Sequence, residues 1–428
     1  MSMQGLTPLH EAQKVVLEAT VPLGVEKVGL LEALGRVLGE DIIAQRDNPP
    51  WDNSAMDGFA VRFDDIAQEY PIGKPVTLTV IEEVPAGKMA TKTVGPGQAI
   101  RIMTGAPIPK GADTVIRIED TEHTPTSVTV FKPEPRGANI RPQGEDVKKG
   151  ERIITKGTPI RPAEAGMLAI LGKPFVVVYQ RPRVAILSTG DELADLDEQL
   201  SEDKIINSNS WALALAVQEA GGVPILLGVA KDNPAALKEK IMNGLNADIL
   251  VLSGGVSMGD YDFTQAVFKD LGAEMHFWKL AIRPGQPLAF GRIQGTLAFG
   301  LPGNPVSSMV TFEQLVRPAI LKMGGHRSYG RPMVQAVFQE AFRKKPDRRH
   351  FLRGILRREG GVFKVRTTGD QGSGILTSMV KANCLIDIPQ EVEHVNPGDT
   401  VTVQVLSPNL WEQDGDWPPL PSGKLARW

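Results

Sequence analysis

Three acidic residues occupy the most chemically suggestive places in the 428-residue sequence: Glu192, Asp232 and Asp262. Each follows a short apolar run that ends in a polar turn. The turns read Ser188-Thr189-Gly190-Asp191-Glu192-Leu193, Lys231-Asp232-Asn233-Pro234, and Ser253-Gly254-Gly255-Val256-Ser257-Met258-Gly259-Asp260-Tyr261-Asp262. A single acid on a loop is most simply a solvated surface carboxylate. Three that converge on one rim would be oxygen ligands for Mg²⁺, directly or through water. Gly254 and Gly255 allow close backbone approach to a ligand, and N–H groups at a following helix start favour an anion. A plain tight turn is the alternative for that pair. Lys279 and Arg283 supply the opposite charge from a turn stiffened by Pro284 and Gly285, with a solvated hairpin as the alternative. In Leu301-Pro302-Gly303-Asn304-Pro305, Pro305 suits the first turn of a helix. Asn304 then either caps that helix or also reads a ligand with its amide. Together these residues describe a site for an anionic, phosphate-bearing small molecule with Mg²⁺.

The elements needed to position them follow from periodicity. From Val184 onward, strands near 184–187, 224–229, 248–252, 288–290 and 297–299 alternate with helices near 209–220, 234–245, 263–271 and 306–315. Pro318 is expected to kink or restart the last helix. Strands alternating with helices of this length mean βαβ units and a mostly parallel sheet, which binds ligands beyond the carboxyl ends of its strands. Those ends carry the turns named above. Before this region, helices are expected over 8–21, 30–38 and 158–171. Between Ile42 and Pro142, short β runs alternate with Gly/Pro turns. Two polar clusters stand out there, Asn53-Ser54-Ala55-Met56-Asp57-Gly58 and Arg101-Ile102-Met103-Thr104-Gly105-Ala106-Pro107. Gly137–Arg141 and Gly144-Glu145-Asp146 add further polar groups at turns. Gln180–Arg183 reads as a domain junction, the chain turns β-rich again from Pro332 to Val405, and 408–428 reads as a tail.

Composition narrows the function classes. Lys and Arg total 47 against 50 Asp and Glu, a formal charge of −3, which argues against a dedicated nucleic-acid binder. The single cysteine, Cys384, permits neither an intrachain disulfide nor a thiolate metal cage. No run approaches the ~18 apolar residues of a membrane span, and the first twenty residues lack an apolar signal core. A cytoplasmic protein with no membrane or nucleic-acid partner is expected.

The strings Asp52–Gly58, Ile102–Pro107, Gly144–Asp146, Ser188–Leu193, Gly254–Asp262 and Leu301–Pro305, in that order, resemble the MoeA-type molybdopterin molybdenumtransferases, the family that includes the E domain of gephyrin. The match runs from about Thr7 to Val405. The resemblance implies a multidomain α/β plus β protein. Residues 7–48 with 141–181 would form a linking domain and 49–140 an inserted β-rich domain. Residues 182–328 would form a Mog-like α/β domain and 329–407 a C-terminal β-barrel-like domain. It implies a homodimer, with the β-rich domain leaning over the Mog-like site of the partner subunit. The implied reaction takes adenylylated molybdopterin and molybdate, requires Mg²⁺, and releases AMP. Asp57, Thr104, Asp146, Glu192, Asp232 and Asp262 match the family's functional polar positions, the last three as metal ligands. Arg141, Gly254, Gly255, Ser257, Asn304, Pro302 and Pro305 are expected to line the substrate cleft. Lys279, Arg283 and Gln286 match the basic loop, and Arg353 with Ser373 match polar positions brought near molybdate. The basic loop commonly reads Lys-Pro-Gly-Lys-Pro, whereas here it is Arg283-Pro284-Gly285-Gln286-Pro287. Molybdate capture is therefore expected to be weaker than with a lysine at 286. The molybdopterin adenylyltransferase shares the Mog-like fold and is both an alternative reading and a candidate partner. A gephyrin-like scaffold without catalysis is a further alternative, which the absence of a second Mog domain disfavours.

Overall fold

The computed structural model describes residues 5–67, 74–198, 200–255 and 261–407, without the side chains of Tyr261, Asp262 and Phe263. Ser257 and the 408–428 tail lie outside the described residues. The chain divides into two compact units. One comprises Val28–Leu34 with Glu40–Val176, and the other Met1–Lys27, Gly35–Gly39 and Val177–Trp428.

The first unit is built on a six-stranded sheet. Its strands are β1 (Gly58–Val61), β2 (Val76–Val84), β3 (Gln98–Ile102), β4 (Thr114–Arg117), β5 (Thr121–His123) and β6 (Ser127–Val130), in the order β4-β1-β3-β2-β6-β5. The pairs are antiparallel except β2 with β3. Residues of β1 alternate between two cores. Phe59 and Val61 pack with Leu78, Ile116 and Val128, while Ala60 packs with Ile100, Ile102 and Val115. A strand covered on both faces must be apolar throughout, as Gly58-Phe59-Ala60-Val61 is. Gly58 is required by close approach, because a Cβ there would sit 1.9 Å from the Ile116 carbonyl oxygen. That approach fixes Asp57, the residue immediately before it.

Two expected helices are shorter here. In place of a helix over 30–38 there is one 3-10 turn, Leu30–Ala33, ended where Gly35 takes φ +73°. In place of 158–171 the helix is Pro162–Ile170. Pro162 sits in its first turn, where a missing N–H costs nothing. A reciprocal cap between Arg161 and Glu164 closes that end, and the Arg161 guanidinium beside Glu164 is the largest cause holding its carboxyl down at about 2.

The second unit contains the expected α/β sheet. Its strands are β7 (Arg183–Thr189), β8 (Val223–Ala230), β9 (Ile249–Ser253), β10 (Glu274–Lys279), β11 (Pro287–Ile293) and β12 (Thr296–Leu301), in the order β8-β7-β9-β12-β11-β10. The first four positions are parallel, and the last two pairs are antiparallel. Helices α1 (Ser208–Glu219), α2 (Pro234–Gly244) and α3 (Tyr261–Asp270) make the crossovers, and α4 (Pro305–Thr311) follows the last strand. The edge strand β10 was not anticipated, although Glu274-Met275-His276-Phe277 alternates polar and apolar residues as a strand with one exposed face does. Of the two expectations for Pro318, a kink or a restart, the structure shows the restart. A π turn over Phe312–Val316 separates α4 from the helix Arg317–Met323, and Pro318 lies in the first turn of the latter.

The C-terminal strands β13 (Met333–Phe338), β14 (Arg349–Glu359), β15 (Val362–Thr367), β16 (Cys384–Ile388) and β17 (Thr400–Val405) close into a five-stranded barrel, because β14 pairs with β16 as well as with β15. The short segment Ile282–Arg283 adds to β14 in parallel, with Ile282 opposite Arg349 and Arg283 opposite His350. Leu280, Ile282, Phe351 and Leu385 share one core cluster with the central sheet residues Val184 and Phe299. The basic loop is thus anchored to the barrel.

Candidate functional site

At the carboxyl ends of the parallel strands, the turns after β7 and β8 are stitched together. The Asp191 N–H donates to Asp232 Oδ2, and the Asp232 N–H donates to Asp191 Oδ1, both at 3.2 Å. Asp191 was not among the residues singled out in the sequence, yet it holds Asp232 in place. Glu192 follows, exposed, with its carbonyl accepting from Ile205 N. Asp262 lies in the first turn of α3 by its backbone, and its side chain is outside the described residues. Among the described residues no group of three or more His, Cys, Asp or Glu could hold a metal ion. The donors at this rim are nonetheless all carboxylate oxygens, which suit a hard ion such as Mg²⁺.

Gly254 and Gly255 are required by their surroundings. Their φ angles are +94° and +67°. A Cβ on Gly254 would stand 2.7 Å from Thr189 O, and one on Gly255 would stand 2.8 Å from Thr189 Oγ1 and 2.9 Å from Thr264 Oγ1. Thr189 Oγ1 is buried without a hydrogen-bond partner. It borders a small cavity of about 40 Å³, also lined by Lys231, Asp232 and Gly255. The N–H of Gly254 is used by Leu301 O, which ties the glycine turn to the Pro302–Pro305 loop.

In that loop Asn304 stands at the N-cap of α4 but makes no side-chain cap. Its Nδ2 donates instead to Ser373 Oγ at 3.1 Å, and Val306 N donates to the Ser373 carbonyl. Asn209, on α1, donates to Gly303 O and to Ser253 Oγ. Pro302 is buried and Pro305 half-buried. The structure therefore brings Gly254, Pro302, Asn304, Pro305 and Ser373 together.

Beside Ser373 opens a cleft of about 630 Å³ whose walls include Arg283, Lys344, Arg348, His350, Arg353 and Asp370. Arg353 is 1% exposed. Its Nε donates to Ser378 Oγ and its Nη2 to Gly372 O, and among the described residues it forms no ion pair with a carboxylate. Burial pulls this guanidinium down to about 10, with Asp370 opposing, so it remains charged at neutral pH. Gln286 is half-buried and its Oε1 accepts from Arg348 Nη1 at 2.7 Å. Lys279 lies on β10, exposed and opposite Pro287, and is not part of the cleft wall. Arg348 and His350 carry no local signal, because they belong to the basic stretch 343–350 that would otherwise read as solvated.

In the other unit, Asp57 Oδ1 accepts from the backbone N–H of Thr104 at 2.6 Å and from its Oγ1 at 2.7 Å. These bonds, the backbone one first, hold the Asp57 carboxyl below its ordinary range although it is exposed. Arg141 pairs with Asn53, and Asp146 Oδ2 accepts from Asn48 Nδ2 at 2.9 Å. Ser54 N donates to Ala106 O, Gly105 N to Ser54 O and Gly144 N to Pro49 O. Asp57, Thr104, Arg141 and Asp146 thus belong to one hydrogen-bonded group of loops.

Comparisons with known proteins cover nearly the whole chain. The family of the MoeA N-terminal region (domain I and II) matches residues 7–172, a probable molybdopterin binding domain matches 185–322, and the MoeA C-terminal region (domain IV) matches 335–406. A molybdopterin molybdenumtransferase of Haemophilus influenzae is 38% identical over 401 residues, covering 92% of this chain and 98% of that one. One from Bacillus subtilis is 36% identical over 419 residues, covering 96% of each. The crystal structure of a molybdopterin biosynthesis moeA protein from Pyrococcus horikoshii OT3 superposes with a TM-score of 0.80 at 37% identity, covering 94% of this chain and 100% of that one.

Proposed function

The chain belongs to the MoeA family of molybdopterin molybdenumtransferases, transferases of molybdenum cofactor biosynthesis, and from that premise we propose that it inserts molybdenum from molybdate into adenylylated molybdopterin with Mg²⁺-dependent release of AMP. The observation that carries this reading is Arg353, on the wall of a cationic cleft, whose buried guanidinium forms no ion pair with a carboxylate among the described residues. Taking an unpaired charge out of water costs several kcal/mol, roughly, unless an opposite charge meets it. Molybdate, a tetrahedral dianion, supplies that charge.

In this reading Arg353 and Arg283 hold the oxyanion from two sides. Ser373 Oγ already accepts from Asn304, which leaves its own proton to donate to an oxyanion oxygen. The Gly254–Gly255 turn and the Pro302–Pro305 loop shape the adjoining wall for the pterin and its phosphates, because no side chain fits at either glycine. Glu192 and Asp232, with Asp262, would hold Mg²⁺, and the bound ion would neutralise charge at the phosphoanhydride. Asp57, set by Thr104, and Asp146 are the corresponding polar groups of the other unit. The same proposal has the protein act as a cytoplasmic homodimer supplied by the molybdopterin adenylyltransferase.

The test is direct. Purified protein is mixed with adenylylated molybdopterin, Mg²⁺ and molybdate, and AMP is measured with time. Release that needs both ions is expected. AMP release indifferent to molybdate would overturn the proposal.

A further inference from the structure

His350 is 6% exposed, and its Nε2 is buried without a hydrogen-bond partner. It is the register partner of Arg283 and lines the same cleft as Arg348 and Arg353. A buried polar atom left unpaired is destabilising, and here it belongs to a residue on the wall of a cavity large enough for a ligand. We propose that His350 is the proton acceptor of this cleft: when a tetrahedral dianion settles among Arg283, Arg348 and Arg353, His350 takes up one proton from solvent, so anion affinity rises as pH falls. This rests on the reading that the cleft takes the oxyanion, and adds to it a residue and a pH dependence.

The groups facing the imidazole explain the coupling. Lys344, Asp347 and Arg348 approach from the preceding loop and Arg283 from the adjoining strand, while Arg353 and Asp370 line the same cleft. On β16 the opposite residue is Ile388, and Asp387 beside it is engaged by Arg349. The Phe342 ring stands edge-on to the imidazole. Burial first, then Lys344, Arg283 and Arg348, hold the imidazole down at about 4, with Asp347 opposing. At neutral pH it is therefore uncharged. A dianion offsets those cations and attracts a proton, which raises the His350 pKa in the complex. A pKa that is higher with anion bound favours binding below that raised value. The gain grows as pH falls from there toward about 4 and is absent well above it.

Sulfate is a suitable probe, because it stays a dianion throughout the useful range. Its binding to the full-length protein is titrated calorimetrically from mildly acidic to mildly alkaline pH, in two buffers of different ionisation enthalpy. The expected result is net proton uptake, with Kd falling by at most about tenfold per pH unit, the limit for one proton. His350→Gln should still bind sulfate but with no proton uptake and a flat pH profile. Sulfate binding with zero uptake in wild type would overturn the role of His350 while leaving the anion cleft intact. Uptake that persists in His350→Gln would assign the proton to another group and equally sink the inference. If sulfate fails to bind at any pH, the cleft reading and the His350 inference fall together. The wild-type proton count needs no variant, so a folding defect in His350→Gln cannot mask the answer.

Discussion

The carboxamide oxygen of Gln286 takes a hydrogen bond from Arg348 Nη1 at 2.7 Å, so the basic loop steers a cation it does not itself carry. A lysine at 286 would remove that acceptor and set its ammonium against the Arg348 guanidinium. The expectation from charge counting alone, that lysine strengthens molybdate capture, is thereby reversed. Gln286→Lys should raise the molybdate concentration for half-maximal AMP release by roughly two- to tenfold, corresponding to the loss of one hydrogen bond worth about 1 kcal/mol. A titration of molybdate at fixed ionic strength decides it, and tighter capture would mean that Arg348 is not held for the anion.

Arg353→Met separates function from stability. An apolar side chain of similar length removes the cost of burying a cation without a counter-charge, which offsets the lost hydrogen bonds to Ser378 and Gly372. Half-saturation by molybdate should rise by more than about tenfold, the equivalent of ~1.4 kcal/mol, while the melting temperature holds or increases. A lower melting temperature with normal molybdate dependence would make Arg353 a structural residue.

Asp57 offers a pH test. Its carboxyl is held low, so the bonds from Thr104 that anchor the 103–107 loop are present at neutral pH. They are lost as pH falls through the depressed value. Thr104→Val removes the hydroxyl donor but leaves the larger, backbone contribution. The Asp57 carboxyl should shift upward toward the ordinary range without reaching it, as followed by carbon NMR of the side-chain carboxyl. AMP release should fall in parallel. No shift in the Asp57 titration would mean that the Thr104 hydroxyl does not reach it in solution.

Gly255→Ala should disturb the turn beside Thr189, Lys231 and Asp232. A methyl there would press on Thr189 Oγ1 and Thr264 Oγ1 from a backbone with φ +67°, a conformation that costs a non-glycine residue about 1–3 kcal/mol. A lower urea midpoint and reduced AMP release are expected together. Unchanged values in both would show that this turn relaxes freely.

The metal proposal is tested by Asp262→Asn and by chelation. AMP release should stop in either case, with far-ultraviolet circular dichroism unchanged, and excess Mg²⁺ should rescue only the chelated protein. Near wild-type turnover of Asp262→Asn at saturating Mg²⁺ would exclude a carboxylate ligand at 262.

The sequence made the central sheet legible because its period switches visibly between strands and crossover helices, and because the polar turns coincide with strand ends. Glu192, Asp232 and the two glycines are on that rim for this reason. What stayed hidden depends on pairing between distant segments. Arg348 and His350 sit in a run of cations that looks like a solvated edge, and only the parallel match of Arg283 to His350 turns that run inward. Asp191 escaped notice because its role is to grip the neighbouring loop, which no local pattern records. The edge strand β10 was legible in the alternation of Glu274, Met275, His276 and Phe277, a period-2 pattern that marks a half-exposed strand, and was overlooked.

The two-residue strand Ile282–Arg283 belongs by sequence to the α/β region but by hydrogen bonding to the barrel. The boundary between the two is therefore not a place where the gene can be cut and rejoined at will. A chimera that takes its barrel from one relative and its α/β region from another must inherit residues 283, 286, 348 and 350 as a matched set. Substitutions at these four positions should drift together through evolution, although 62 residues of chain separate Gln286 from Arg348.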